Sequence, residues 1–165
     1  MTPGDELVDI VDAEDRVVGT TTRREMRSAG LRHRCVYVLV FNARGQIYVH
    51  KRTASKDVYP SFYDVAAGGV LGAGESYDEA AERELLEELG IRAPLDRLFA
   101  VHFEDGDMAV NGVAYRCISE GPFVLQPSEV ESGGFVSIGE LLARLERDPF
   151  CPDGVEVLRQ YLARA

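Results

Sequence analysis

The segment GVLGAGESYDEAAERELLEELGI, from Gly69 to Ile91, joins a glycine-rich turn to an acidic helix. Ser76 and Glu79 form a capping box, in which each side chain satisfies a free backbone donor of the first helical turn. Gly90 is placed to end the helix in a left-handed conformation. These signals predict a helix that begins at residue 77 and ends at residue 89.

The faces of this helix differ in chemistry. Its apolar residues recur at four-residue spacing and form a stripe for the core. Three glutamates share another face, where like charges repel by roughly 0.2–0.5 kcal/mol per pair. A solvated acidic face is one interpretation. A divalent cation would relieve the repulsion, and carboxylate oxygens suit Mg²⁺ or Mn²⁺. The three glutamates are Glu84, Glu87 and Glu88.

The whole segment matches a known family pattern. The Nudix box is G-x5-E-x7-R-E-U-x-E-E-x-G-U, where U is a bulky apolar residue, and no fixed position of this segment departs from it. The chain therefore resembles Nudix hydrolases. The resemblance implies the Nudix fold, an α/β (α+β) architecture with a mixed sheet sandwiched between helices. It also implies hydrolysis of the diphosphate linkage in a nucleoside diphosphate derivative or a similar small molecule.

The same resemblance implies a Mg²⁺ or Mn²⁺ cofactor and a role for each box residue. Arg83 would pair with the carboxylates and orient them for catalysis, although an ordinary i,i+4 pairing with Glu87 is the alternative. One of the helix glutamates, or a glutamate on a later loop, would accept a proton from water. The implied metal ligands are Glu84, Glu87, Glu88 and the carbonyl of Gly68, with Gly69 and Glu75 in support.

Further candidates lie outside the box. Lys51 and Arg52 end a strand ahead of the phosphate region, and an arginine can clamp a phosphate with two hydrogen bonds. Glu129 and Glu131 lie in a predicted flexible loop, 128–134, where many Nudix enzymes place an extra carboxylate. The alternative for each of these four residues is that it is an ordinary charged residue on the protein surface. His33 is a metal ligand, a base or a strand-edge histidine.

The first half of the chain also resembles isopentenyl-diphosphate isomerase, a Nudix relative. The shared segments are FNARGQ at 41–46, KRTASK at 51–56 and the YP pair at 59–60. This resemblance implies a diphosphate ligand, and His33 matches an isomerase metal histidine. The isomerase chemistry does not carry over, because its other key positions fall on Gly68, Val70, Val110 and Gly112. Isomerase activity and a non-catalytic nucleotide-sensing module remain alternatives to the hydrolase.

Composition sets the broad class. The 165 residues, 45% of them hydrophobic, are enough for one domain over 1–165 and too few for two. A net charge of −10 disfavours nucleic-acid binding. Three widely separated cysteines suggest a reducing cytoplasm. The sequence predicts no signal peptide and no membrane span. The expected partner is a small phosphoanhydride substrate, and a homodimer, common in the family, is one expected assembly.

Hydrophobic periodicity predicts the remaining elements. Residues 1–6 are expected to form a loose tail. Strands are predicted at 7–11, 16–19, 35–41, 46–52, 63–67, 98–103 and 109–118, with 35–52 forming a hairpin. Besides the box helix, helices are predicted near 22–29, 138–145 and 155–162.

Overall fold

The structure, a computed structural model, describes residues 2–165. Within these residues the chain forms nine β-strands, four α-helices and a short 3-10 helix, Pro3–Asp5. The strands are β1 (Leu7–Val11), β2 (Val17–Thr22), β3 (His33–Phe41), β4 (Ile47–Arg52), β5 (Tyr63–Asp64), β6 (Ala67–Val70), β7 (Asp96–Asp105), β8 (Met108–Ile118) and β9 (Val130–Val136). The α-helices are α1 (Arg23–Ala29), α2 (Tyr77–Leu89), α3 (Ile138–Leu145) and α4 (Pro152–Arg164).

Strand β3 is the centre of a mixed sheet. It pairs in parallel with β8, from His33 opposite Val110 to Phe41 opposite Ile118, and antiparallel with β6. Strands β7 and β8 form an antiparallel hairpin, and β4 pairs antiparallel with β5 and β9. The β1–β2 hairpin joins the sheet where Ile10 pairs with His33. The predicted mixed sheet is therefore confirmed.

The two faces of β3 lie in different hydrophobic cores. Val36, Val38 and Val40 pack in a core that contains Leu85 and Leu89 of α2. The alternate β3 residues face a second core, to which the other three helices contribute. That core includes Tyr37, Leu39, Phe41, Met26, Leu141, Val157 and Leu158. Because helices cover both faces, the sheet is sandwiched as predicted, and residues 35–41 of β3 form a continuous apolar run.

The prediction of a flexible loop over 128–134 is wrong, because β9 begins at Val130. This strand pairs with β4 along its length, with an irregularity at the Lys51–Arg52 step. Consecutive glycines indicated a loop because glycine is depleted in strands. A Cβ at Gly133 would lie 2.4 Å from Tyr48 Oη, so the strand needs a glycine where the tyrosine crosses it.

The predicted 35–52 hairpin is correct only at its turn. Strands β3 and β4 pair at one position, Phe41 opposite Ile47. Asn42 closes the turn, since its Oδ1 accepts hydrogen bonds from the backbone N–H groups of Arg44 and Gln46. The strands then separate, because β6 occupies the same edge of β3 next to Cys35–Val38.

The single strand predicted at 63–67 is two short strands, β5 and β6. Asp64 Oδ1 accepts a hydrogen bond from the Ala66 N–H at 3.2 Å, between the two strands. Gly68 and Gly69 consequently lie inside β6 rather than after a strand. A Cβ at Gly68 would lie 1.9 Å from the Val36 carbonyl oxygen, so β6 can approach β3 only with a glycine here.

Most of the segment predicted as a loose tail has regular structure. Pro3–Asp5 forms a 3-10 helix whose Asp5 accepts hydrogen bonds from Thr2. Arg24 Nη1 lies 2.8 Å from Asp5 Oδ1 and ties this turn to α1. The part of the prediction that concerns Met1 lies outside the described residues. No helix within residues 2–165 is both long and apolar enough to cross a membrane.

Candidate active site

Helix α2 has the predicted bounds and caps. The Ser76 hydroxyl accepts a hydrogen bond from Glu79 N–H at 3.1 Å, and Ser76 N–H donates to Glu79 Oε1 at 3.1 Å. Gly90 ends the helix with φ 67°. Leu85 and Leu89 are 1% exposed and anchor the helix on the sheet. This anchoring fixes which way the glutamates of the next face point.

The glycines of β6 bring the backbone against two of these glutamates. Gly68 N–H donates to Glu88 Oε1 at 2.6 Å. A Cβ at Gly69 would lie 2.7 Å from Glu84 Oε1. Gly68, predicted to coordinate the metal through its carbonyl, and Gly69, predicted to support the site, therefore border these two carboxylates. Any larger residue at either position would displace backbone or carboxylate atoms.

Arg83 connects the carboxylates at the front of the helix. Its Nε and Nη2 donate to the two Glu75 oxygens at 2.7 and 2.8 Å. Its Nη1 donates to Glu84 at 2.8 Å and to Glu87 at 3.2 Å. Burial raises the pKa of Glu75, but its hydrogen bonds to Arg83 and Gly72 outweigh burial and lower the pKa. Arg83 thus contacts three carboxylates rather than Glu87 alone.

Glu84 and Glu88 are crowded carboxylates with little exposure, since Glu88 is buried and the side chain of Glu84 is 12% exposed. Burial raises the pKa of Glu84, and the guanidinium of Arg83 opposes that shift. Glu88 is 2% exposed, and burial followed by the charge of Glu84 raises its pKa well above the usual value. Within residues 2–165 no lysine or arginine forms an ion pair with Glu88. Ionising both carboxylates at once is therefore unfavourable unless a further positive charge compensates them.

This donor set fits Mg²⁺ or Mn²⁺ as a two-carboxylate site. No three His, Cys, Asp or Glu side chains in the described part of the chain converge in a geometry that would hold a metal. Mg²⁺ does not need such a cage, because it keeps several waters and binds one or two carboxylates plus substrate phosphates. Glu84 and Glu88 supply two such groups, and a cation would reduce the charge penalty that raises their pKa values.

Glu87 lies differently from the other two glutamates. Its side chain is 53% exposed, and its ion pair is with Arg83. It lines, with Glu84, an open cleft of about 460 Å³ that also borders Gly68, Gly69 and Glu75. The sequence placed the three glutamates on one helix face, and the structure orders them from the exposed Glu87 to the buried Glu88.

The candidates outside the box divide into two groups. Lys51 lies 3.4 Å from Glu131 Oε2, and this pair lines neither the cleft nor the two cavities described below. Arg52 donates to the Val58 carbonyl at 3.1 and 2.9 Å and lines a small cavity behind the glycines. Glu129 lines the cleft. Arg52 and Glu129 thus lie near the box, whereas Lys51 and Glu131 pair across β4 and β9.

His33 is a buried strand-edge histidine. It is 1% exposed, and its Nδ1 lies 2.9 Å from the Leu31 carbonyl oxygen. Its Nε2 has no hydrogen-bond partner within residues 2–165. Burial lowers the pKa of His33 to about 4, so the ring is neutral at pH 7. It does not line the cleft of the box glutamates.

Sequence reasoning missed two basic residues of the cleft, Arg23 and Lys56. Lys56 Nζ pairs with Glu129, and its side chain is only 13% exposed. Arg23 comes from α1, far from the box in sequence. The KRTASK segment contained Lys56, but its position depends on the fold of the 53–62 loop. No local pattern connects Arg23 with α2.

A buried pair of acids, Asp64 and Asp153, was also missed. Both line the cavity of about 60 Å³ behind Gly68 and Gly69. Burial and then the charge of Asp153 raise the pKa of Asp64 to about 7, and burial raises that of Asp153. The Tyr37 hydroxyl donates to Asp153 Oδ2 at 3.0 Å. Their separation of 89 residues hides the pair from sequence reading.

We expect Asp64→Asn to change the pH dependence of stability. Asp64 binds its proton more tightly in the folded state than in the unfolded state. Its contribution to the stability of the fold is therefore fully present below pH 4 and is lost as pH rises through about 7. A pKa raised to about 7 corresponds to a contribution of at most about 4 kcal/mol to the free energy of unfolding. Urea unfolding at pH 5 and pH 8 should show that the variant loses less stability than wild type. Asp96→Asn, at an exposed site, is the control, and equal losses in all three proteins would contradict the prediction.

Comparisons with known proteins agree with this architecture. The NUDIX domain family model matches residues 31–161. The uncharacterized Nudix hydrolase YfcD of Escherichia coli is 40% identical over 160 residues, 96% of this chain and 88% of the relative. An uncharacterized Nudix hydrolase of Streptomyces coelicolor is 45% identical over 94% of this chain and 87% of its own. The crystal structure of DR0079 from Deinococcus radiodurans has a TM-score of 0.82 and 27% identity, covering 94% and 98% of the two chains.

A mixed sheet between helices, with a carboxylate-lined cleft beside a glycine-rich strand, defines the chain as an α+β protein with a candidate active site. It belongs to the Nudix family, because the family model covers most of its length. The two curated relatives named above are Nudix hydrolases, and neither supports the isomerase alternative.

Proposed function

We propose that this Nudix hydrolase is a divalent-metal-dependent enzyme of single-domain architecture that cleaves the diphosphate linkage of a nucleoside diphosphate derivative or similar small molecule. One observation carries the proposal most directly. Glu88 is buried with no ion-pair partner within residues 2–165, beside Glu84, whose side chain is only 12% exposed. Two adjacent carboxylates with so little exposure disfavour the folded state, and a bound cation would offset that cost.

The box residues divide the work. Glu84 and Glu88 would hold the metal, with Glu87 and the Gly68 carbonyl as further candidate ligands. When bound, Mg²⁺ or Mn²⁺ supplies charge neutralisation for phosphoryl oxygens and lowers the pKa of water. Phosphoryl transfer depends mainly on such positioning and electrostatic stabilisation. Arg83 fixes Glu84 by a direct hydrogen bond, while its contacts to Glu75 fix the guanidinium.

Glu129 is the best-placed proton acceptor outside the helix. It lines the cleft that Glu84 and Glu87 also line, and its charge contributes to the raised pKa of Glu84. Lys56 pairs with Glu129 and holds it at the cleft wall. If Glu129 accepts the proton of the attacking water, Glu84 and Glu88 remain free to bind the metal.

A metal-dependence assay tests the proposal. The protein is incubated with nucleoside di- and triphosphates, nucleotide sugars and dinucleotides, with Mg²⁺, with Mn²⁺ and with chelator alone. We expect release of phosphate or nucleoside monophosphate from at least one class, and its loss in chelator. Binding of a nucleotide without any metal-dependent cleavage would favour the sensor. Conversion of isopentenyl diphosphate to its allylic isomer would favour the isomerase.

We expect Arg83→Lys to lower kcat by about 10–100-fold with little change in KM. Lysine keeps the positive charge but cannot hold Glu75 with two hydrogen bonds and Glu84 at the same time. Steady-state kinetics on the best substrate of the panel measures the effect. Arg159→Lys is the control, because Arg159 is exposed on α4 and pairs with Glu156. If the kcat of Arg83→Lys equalled that of wild type, the planar guanidinium group of Arg83 would not be needed for catalysis.

A further inference from the structure

A second, larger cavity adjoins the cleft of the box glutamates. Its volume is about 670 Å³, and Arg23, Lys56 and Glu129 line both spaces. A substrate whose scissile linkage lies at the carboxylates can therefore extend past Arg23 and Lys56 into this cavity. The chemistry of the cavity wall then indicates what that part of the substrate is.

The wall of the larger cavity is basic and polar. Four basic side chains line it against two acidic ones, and the hydroxyl-bearing Ser28, Ser55 and Ser128 contribute further donors. Among residues 2–165 no aromatic residue lines either this cavity or the cleft, so neither offers a stacking surface for a nucleobase. The charged residues are Arg23, Arg24, Arg27, Lys56, Asp57 and Glu129.

Two arginines of α1 are held in place by one carboxylate. Arg23 and Arg27, four residues apart on one helix face, lie 3.1 and 3.3 Å from Asp57 Oδ2. Their side chains are only 19% and 23% exposed. Burial raises the pKa of Asp57, but the two guanidinium charges outweigh burial and lower it to about 2. One acid thus positions two cations and leaves positive charge in excess.

The arginines keep donors that the protein does not use. Arg23 donates to Asp57 through Nε and Nη2, and Arg27 donates through Nε to Asp57 and through Nη1 to Met108 Sδ. Within residues 2–165 no hydrogen bond uses Arg23 Nη1 or Arg27 Nη2. A purely structural tie between α1 and the 53–62 loop would need one arginine. Two mostly buried guanidinium groups with free donors are suited to a phosphoryl group.

We propose that Arg23, Arg27 and Lys56 form an anion subsite for a further phosphoryl group, so that preferred substrates carry a phosphorylated, non-aromatic group beyond the scissile anhydride. The identity of that scissile linkage rests on the proposed function, whereas the anion subsite rests on the cavity alone. The subsite also complements the site as a whole, since it places positive charge next to an acidic helix that a polyanion would otherwise avoid.

Calorimetry tests the subsite without requiring catalysis. Inorganic phosphate, pyrophosphate and tripolyphosphate are titrated into the metal-free protein, with circular dichroism as the check on folding. We expect tripolyphosphate to bind most tightly, and Arg23→Gln and Arg27→Gln each to weaken it at least about tenfold. Arg27→Lys should recover part of the loss. Arg159→Gln, which removes the same charge from an exposed site on α4, should bind as wild type does.

Equal tripolyphosphate affinity in wild type, Arg23→Gln and Arg27→Gln would overturn the subsite. It would also be overturned if Arg159→Gln lost as much affinity as these two variants. If the variants do not fold, phenylglyoxal modification of wild type decides the question. Peptide mass spectrometry should show Arg23 and Arg27 protected by tripolyphosphate, and no protection would overturn the proposal.

Kinetics separates this inference from the proposed function. If the enzyme hydrolyses the panel, kcat/KM should be at least about tenfold higher for a nucleoside triphosphate than for the matching diphosphate, and Arg27→Gln should abolish the difference through KM. Hydrolysis without that preference would overturn the subsite and leave the hydrolase standing. Tripolyphosphate binding without any hydrolysis would support the subsite and count against the hydrolase.

Discussion

Replacing Glu88 by glutamine is expected to lower kcat at least about 100-fold without loss of folding. Mutation of a residue that only orients a metal ligand lowers metal affinity or activity by about 10–100-fold. Loss of a ligand's own charge should therefore lower activity at least as much. Glutamine keeps an oxygen that can accept the Gly68 N–H and removes a buried charge, so the melting temperature should stay equal or rise. Steady-state kinetics and thermal unfolding measure the two effects.

Glu82→Gln is the matched control for this variant. Glu82 is exposed on the same helix and does not line the cleft, so the kcat of Glu82→Gln should equal that of wild type. A Glu88→Gln protein that folds normally and turns over at the wild-type rate would remove Glu88 from the ligand set.

Gly68→Ala is expected to destabilise the protein by about 3 kcal/mol or more. The added methyl would lie 1.9 Å from the Val36 carbonyl oxygen, and both atoms belong to paired strands that cannot move apart without breaking the sheet. For a chain of this size the melting temperature should fall by roughly 6–12 °C. Activity should fall as well, because a displaced strand would also move the residue-68 N–H away from Glu88.

The control is Gly134→Ala on β9. A Cβ there meets no atom of residues 2–165 within 4 Å, so the stability of the variant should remain within about 1 kcal/mol of wild type. If Gly68→Ala were as stable as Gly134→Ala, the close approach of β6 to β3 would not be a constraint on the fold.

The box helix was predictable because its signals are local. Ser76, Glu79 and Gly90 set its two ends through backbone groups a few residues away, and the structure has the same bounds, Tyr77–Leu89. The pattern of the family then supplied the proposed role of the glutamates as metal ligands. The central strand β3 was equally clear, since its continuous apolar run requires burial on both faces.

The parts that sequence reasoning missed depend on contacts distant in the chain. Strand β9 is a strand because β4 pairs with it, and its glycines are explained only by the position of Tyr48. The same holds for the basic cavity, where α1 and the 53–62 loop bring Arg23 and Lys56 to the cleft of α2. Strand pairing and cavity composition follow from tertiary packing, which no local pattern specifies.

Direct binding of Mn²⁺, followed by electron paramagnetic resonance, tests the central claim that Glu84 and Glu88 hold a divalent cation. Wild type and Glu82→Gln should bind Mn²⁺ with the same affinity, and Mg²⁺ should displace it. Glu84→Gln and Glu88→Gln should each weaken binding at least about tenfold. Equal Mn²⁺ affinity in all four proteins would contradict the assignment of these two carboxylates as the metal site.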